Sequence, residues 1–144
     1  QVNTRGTFLC MREASKGMRA KGKGGVIVNV SSVGAVHPVA MSSTHYDSSK
    51  SGINAITRSS ALEFAADGIR VNSLLPGGTD TEGARNINAS GTMKPGPMAD
   101  MKRHLKGRYA MPHEMASAIL FLASPAAASI HGQLLVADGG FMVS

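Results

Sequence analysis

The sequence predicts an α/β fold built around a parallel sheet, and three observations carry that prediction. Val26-Ile27-Val28-Asn29-Val30 and Ile69-Arg70-Val71-Asn72-Ser73-Leu74-Leu75 are short apolar runs rich in β-branched residues. Such runs suit strands covered on both faces. Between them the stretch from Ser51 to Ala66 reads as a helix, and a strand, helix, strand order closes by a right-handed crossover into a parallel pair. A later helical stretch followed by Gln133-Leu134-Leu135-Val136-Ala137 repeats the order.

Taken in order, the chain opens with Val2, Phe8, Leu9, Met11, Ala14 and Met18 at roughly helical intervals. They predict an amphipathic helix from Asn3 to about Met18, ending near Gly17 or Gly22, with Cys10 buried in it. Lys21-Gly22-Lys23-Gly24-Gly25 follows a helix and precedes a strand, the reverse of a phosphate-binding turn, and reads as loop punctuation. The first strand, expected to be central in the sheet, stops at Ser31-Ser32-Val33-Gly34. Two hydroxyls therefore stand at the carboxyl edge along which open α/β sheets bind ligands. A Ser-rich loop with Pro38 leads into the helix carrying Tyr46 and Lys50. Ile53, Ile56, Leu62 and Phe64 are its expected core contacts, Ala55, Ser59, Ser60, Ala61 and Ala65 keep its faces small, and Asp67-Gly68 ends it. The second strand is terminated by Pro76-Gly77-Gly78.

From Thr79 to about Tyr109 the pattern loosens, with Gly83, Gly91, Pro95, Gly96 and Pro97 among Met93, Met98 and Met101. Adaptable methionines suit a mobile lid over an apolar ligand; a plain surface excursion is the alternative. Pro112-His113-Glu114 opens the last helix, whose Met115, Ala118, Ile119 and Leu122 lie on one face, and Ser124-Pro125 closes it. The final strand ends in Asp138-Gly139-Gly140.

At 144 residues, 42% hydrophobic and 17% charged, the chain has the size and composition of one globular domain. No apolar run reaches the roughly 18 residues of a membrane span. Gln1-Val2-Asn3-Thr4-Arg5 is neither a signal peptide nor a natural start, so the chain reads as beginning inside a longer sequence. A single cysteine excludes an internal disulfide and fits a reducing, cytoplasmic setting. The net charge of +6 invites a nucleic-acid reading, but two Tyr and four Phe leave little for base stacking. Lys16, Arg19, Lys21 and Lys23, and then Lys102, Arg103, Lys106 and Arg108, are better explained as solvated faces. His37, His45, His104, His113 and His131 lack ligand spacing, so no metal is expected.

Tyr46 and Lys50 stand four apart, on one face of a helix. A cation beside a phenol favours the phenolate, which makes Tyr46 a candidate general acid/base; a solvated surface pair is the bland reading of the same spacing. The ordered set Val28-Asn29-Val30-Ser31-Ser32, Tyr46-x-x-x-Lys50, Arg70-Val71-Asn72-Ser73 before Pro76-Gly77, and Gly132-Gln133 through Asp138-Gly139-Gly140 resembles the short-chain dehydrogenase/reductase family. The resemblance covers essentially the whole chain.

It implies a Rossmann-like doubly wound parallel sheet, of which residues 1–144 supply the C-terminal strands and helices of a single domain. It also implies an NAD(P)-dependent oxidoreductase, with NAD or NADP as cofactor, interconverting a secondary alcohol and a ketone. Tyr46 would exchange a proton with the substrate oxygen and Ser32 would orient that oxygen. Lys50 would make the phenol a better acid and, with Tyr46, bind the cofactor, Lys50 holding the nicotinamide ribose, while Asn3 matches the helix asparagine that holds a relay water. Pro76, Gly77, Thr79 and Thr81 match the loop that seats the nicotinamide. Plainer readings make Ser32 a strand-end cap and Asn3 a helix cap. The short gap from Tyr46 to Lys50 favours alcohol and ketone chemistry over the family's enoyl reductases. A homotetramer or homodimer is implied, through the helices around Asn3 to Met18 and Met41 to Ala66. No glycine-rich coenzyme turn precedes Asn3, so the isolated chain is expected to be inactive. A catalytically silent interaction module is the alternative function.

Overall fold

The computed structural model describes residues 2–91 and 94–144, the Asn88 side chain excepted. Three parallel strands, β1 (Gly25–Val30), β2 (Ile69–Pro76) and β3 (Leu134–Ala137), lie in the order β1-β2-β3. Gly25 registers with Ile69 across the first pair, and Ser73 with Leu134 across the second. Two long helices, α1 (Asn3–Lys21) and α2 (Thr44–Phe64), flank β1; a short α3 (Glu82–Ser90) and α4 (Pro112–Ala123) separate β2 from β3.

Alternation along β2 decides what covers each face of the sheet. Ile69 and Val71 pack with Met11, Ala61 and Phe64 under α1 and α2. On the opposite side the Arg70 guanidinium donates to the carbonyls of Leu122, Ser124 and Ile130, satisfying orphan groups at the end of α4. The Asn72 amide donates to the Ile130 carbonyl at 2.8 Å and its oxygen accepts from the Gln133 amide at 2.9 Å, which fixes the approach to β3. Helices on both faces make the sheet doubly wound. Within the first core layer Asn29 donates to the Thr57 hydroxyl at 2.8 Å, so a buried amide on β1 is satisfied from α2.

The termini of the helices follow local chemistry. Gly22 caps α1 in the left-handed region with its amide on the Arg19 carbonyl. Gly68 does the same after the turn that continues α2. The Glu114 carboxylate reaches back to the Met111 amide at 2.7 Å, closing the first turn of α4 behind Pro112.

Four expectations are corrected. β1 lies at an edge of the sheet and is only half-buried along most of its length, because β2 alone pairs with it among the described residues; β2 is the central strand. Cys10 is exposed, since the buried face of α1 runs through Met11 and Ser15 and Cys10 sits about 100° round from it. Leu62 is 82% exposed for the same reason: the buried stripe of α2 is Ile53, Thr57, Ala61 and Phe64. The stretch after Thr79 is less irregular than its composition indicates, for it contains α3 and two 3-10 turns at Pro97–Ala99 and Met101–Arg103. Met93, one of the expected lid methionines, lies outside the described residues.

Candidate active site

β1 and β2 end side by side, and the segment after each strand forms one wall of a shared cavity. After β1, the Ser31 hydroxyl donates to the Lys50 carbonyl at 3.0 Å and the Ser51 hydroxyl to the Ala35 carbonyl at 2.8 Å. These two bonds stitch the opening turns of α2 to the strand end. Ser43 anchors the same helix from in front, donating to the Asp47 carboxylate at 2.5 Å in its first turn. Tyr46 and Lys50 are thereby held above the end of β1.

Lys50 Nζ donates to the Val30 carbonyl at 3.0 Å and lies 5.8 Å from the centre of the Tyr46 ring. Burial lowers the pKa of this ammonium from the ordinary lysine value, because desolvation disfavours the charged form. An ammonium has three donors, so two remain for a ligand. Ser32 is 8% exposed and its oxygen accepts from the Gly34 amide at 3.0 Å. Its own O–H is left to donate.

Pro76 closes β2 in register with Ala137 of β3, and the Gly77 amide that follows donates to the Ala137 carbonyl at 3.0 Å. A Cβ on Gly77 would stand 2.6 Å from the Asp138 Cα, so only glycine lets the two backbones approach. The Thr79 hydroxyl donates to the Gly77 carbonyl, and Thr81 accepts from the Ala84 amide as a cap for α3.

The resulting cavity has a volume of about 540 Å³. Ser32, Tyr46, Lys50, Pro76, Gly77, Thr79 and Thr81 all line it. Asn3 is not among its lining residues. The Asn3 amide donates to the Ser49 hydroxyl at 2.9 Å, and that hydroxyl donates to the Tyr46 carbonyl at 2.7 Å. Asn3 is thus tied to the turn of α2 that carries the Tyr46/Lys50 pair, through the Tyr46 backbone and not through the side chain of Tyr46 or Lys50. Sequence reasoning missed Val39, Ala84, Ile87 and Met115 as wall residues. A signal for two of them was present: Thr81 as a helix cap with Ala84 and Ile87 on one face behind it.

A nicotinamide group fits the residues present. The loop from Pro76 to Thr81 offers an apolar floor with hydroxyls, and Lys50 supplies free donors at its side. Metal-ligating side chains do not gather in groups of three or more among the described residues. No helix among them is long and apolar enough to cross a membrane.

The family profile described as Enoyl-(Acyl carrier protein) reductase matches residues 1–142. The chain belongs to this short-chain dehydrogenase/reductase family. It is 42% identical to cis-4-hydroxycyclohexanecarboxylate dehydrogenase of Sinomonas cyclohexanicum, over 98% of this chain and 54% of that protein. To 3-oxoacyl-[acyl-carrier-protein] reductase of Synechocystis it is 37% identical, over 99% of this chain and 54% of the relative. The chain therefore spans about half the length of the curated relatives it matches. Among solved structures it resembles gluconate 5-dehydrogenase from Burkholderia cenocepacia in complex with NADP and tartrate, with a TM-score of 0.84 and 30% identity over 99% of this chain and 54% of that one. It also resembles 4-hydroxyisoleucine dehydrogenase complexed with NADH, with a TM-score of 0.85 and 28% identity over 99% of this chain and 57% of that one.

Proposed function

We propose that the protein is an NAD(P)-dependent oxidoreductase that interconverts a secondary alcohol and a ketone, with residues 1–144 forming the C-terminal part of a single coenzyme-binding domain. The observation that carries this reading is the convergence of Ser32, Tyr46 and Lys50 with Pro76, Gly77, Thr79 and Thr81 on one cavity at the strand ends. Relatives named as dehydrogenases of cyclic and open-chain alcohols support it, as do neighbours solved with NADP or NADH. Nothing in the site favours a silent interaction module.

In the alcohol-to-ketone direction the substrate hydroxyl gives its proton to the Tyr46 oxygen as its carbon loses hydride. A nicotinamide coenzyme, when bound, would supply the hydride acceptor. Ser32, with its oxygen already engaged by Gly34, donates its O–H to the substrate oxygen and fixes it against the phenol. Lys50 stabilises negative charge on the phenol oxygen and holds the nicotinamide ribose with its two remaining donors. Asn3, set beside the same turn by Ser49, holds a water that passes the proton onward. In ketone reduction the same groups work in reverse. The protein acts in the cytoplasm as a homodimer or homotetramer, and Phe8 on α1 and Leu62 on α2 are apolar, exposed and available for the contact.

The test is spectrophotometric. Full-length protein mixed with NADH or NADPH and a panel of ketones is expected to consume reduced nicotinamide. No consumption with any coenzyme and ketone pair would refute the reading.

A further inference from the structure

A second cavity of about 400 Å³ adjoins the first, sharing Val39, Gly78, Thr79, Ala84 and Met98 as common walls. Its remaining lining is mostly small or apolar, with Tyr109 and Lys94 as the exceptions. The Tyr109 hydroxyl is spent on the Met98 carbonyl at 3.2 Å. Among the described residues Lys94, whose side chain is exposed, is the one charged residue on the lining of this cavity, and no Asp or Glu lines either cavity.

Lys94 is not placed by chance. Its carbonyl accepts from the Met41 amide at 3.1 Å in an antiparallel bridge, and the Met98 amide donates to the Val39 carbonyl at 2.9 Å. Between these two bonds Gly96 lies so close to Ala40 that a Cβ would meet its Cα at 2.6 Å. The strap from 94 to 98 is thereby fixed to the loop that follows β1, with Lys94 at one end and Met98 at the other. Residues 94–108 carry five cationic side chains, Lys94, Lys102, Arg103, Lys106 and Arg108, against Asp100 alone. Lys106 and Arg108 are engaged by Glu114. Lys94 has no such carboxylate partner among the described residues.

We propose that this second cavity is the distal substrate subsite, and that Lys94 selects an apolar alcohol or ketone bearing a carboxylate away from the reacting carbon. The inference rests on the oxidoreductase reading for the position of the reacting carbon, in the first cavity. A neutral apolar substrate would be served by the walls alone; an exposed lysine on the rim, without a carboxylate partner among the described residues, adds preference for negative charge. A single ammonium matches the one charge of a carboxylate better than the near-double charge of a phosphate, and the lining supplies no arginine to take up the remainder.

The experiment is calorimetric binding to the full-length protein saturated with coenzyme. The probes are cyclic and linear keto acids, each beside its neutral amide. Wild-type protein is expected to bind the acids about three- to fivefold more tightly than the amides, with the margin shrinking as salt is raised. Lys94→Gln removes the margin and leaves amide binding unchanged, whereas Lys94→Arg retains it. Equal binding of acid and amide by the wild type, or a margin that survives in Lys94→Gln, overturns the proposal. Because the readout is binding, absence of turnover would count against the oxidoreductase reading alone.

Discussion

Ser32, Tyr46 and Pro76 stand on or directly after elements whose backbones are locked into the sheet and into α2, whereas the facing wall, from Thr79 to Met111, is mostly exposed. The first wall rests on fully buried side chains: Val33, Leu75 and Phe141 form one cluster beneath it. The second wall reaches that cluster at fewer points, through Met98 and the buried His104, and is otherwise held by isolated bridges, Thr79 with Ala110 and Met41 with Lys94, and by glycines pressed against neighbouring loops. Proton transfer needs atoms placed to within a fraction of an ångström, and a packed strand end supplies that. Substrate selection tolerates, and benefits from, a wall that can be rebuilt by changing a loop.

The comparison can be broken at its hinge. Gly77→Val forces a side chain into the Asp138 backbone on the rigid side, and is expected to cost about 3 kcal/mol in denaturant unfolding. A loss below about 1 kcal/mol would show that this wall yields as readily as the other. Thr57→Val leaves the buried Asn29 amide with the weak Met11 sulfur as its remaining acceptor, with an expected loss of about 1–2 kcal/mol. On the opposite wall Gly83 has an ordinary helical backbone, and a Cβ added there would have no atom within 4 Å. Gly83→Ala should therefore stabilise by about 0.5–1 kcal/mol, measured in the same way; destabilisation would mean that α3 is tightly packed after all.

The smallest effect concerns Glu114. The Arg108 guanidinium, the Met111 amide and Lys106 hold its carboxyl well below the ordinary carboxylate range, Arg108 first. Its folded-state pKa lies below the unfolded one, so its contribution is complete above the ordinary carboxylate pKa and fades as acid protonates it. Acid titration of stability in Glu114→Gln should be slightly flatter than in the wild type, with the curves converging at low pH. Curves that run parallel would remove the ion pair from the account.

The first wall is legible in the sequence because its code is local. β-branched runs name β1 and β2, the four-residue spacing places Tyr46 above Lys50, and Pro76-Gly77 ends a strand wherever it occurs. The order of the sheet is less so: the run at Val26–Val30 reads as fully covered, and within residues 1–144, about half the length of the relatives, β2 alone pairs with it among the described residues. Periodicity also does not rank near-equivalent helix positions, which is why it puts Cys10 and Leu62 inside. For the second wall the determining contacts join residues far apart in sequence. Nothing around Gly96 announces that Ala40 is its neighbour, and nothing around Lys94 announces a bridge to Met41. Only the cap at Thr81, with Ala84 and Ile87 behind it, offers a local clue to α3, and the short, Gly-containing, polar character of that helix conceals it.

The central claim is that Tyr46 handles the proton. Tyr46→Phe in the full-length protein removes one oxygen atom and leaves the ring, the Lys50 contact and the walls of the cavity in place. Coenzyme binding is expected to weaken by no more than a few-fold while turnover falls by at least about a hundredfold, with the fold intact by circular dichroism. Turnover within a few-fold of the wild type would contradict it.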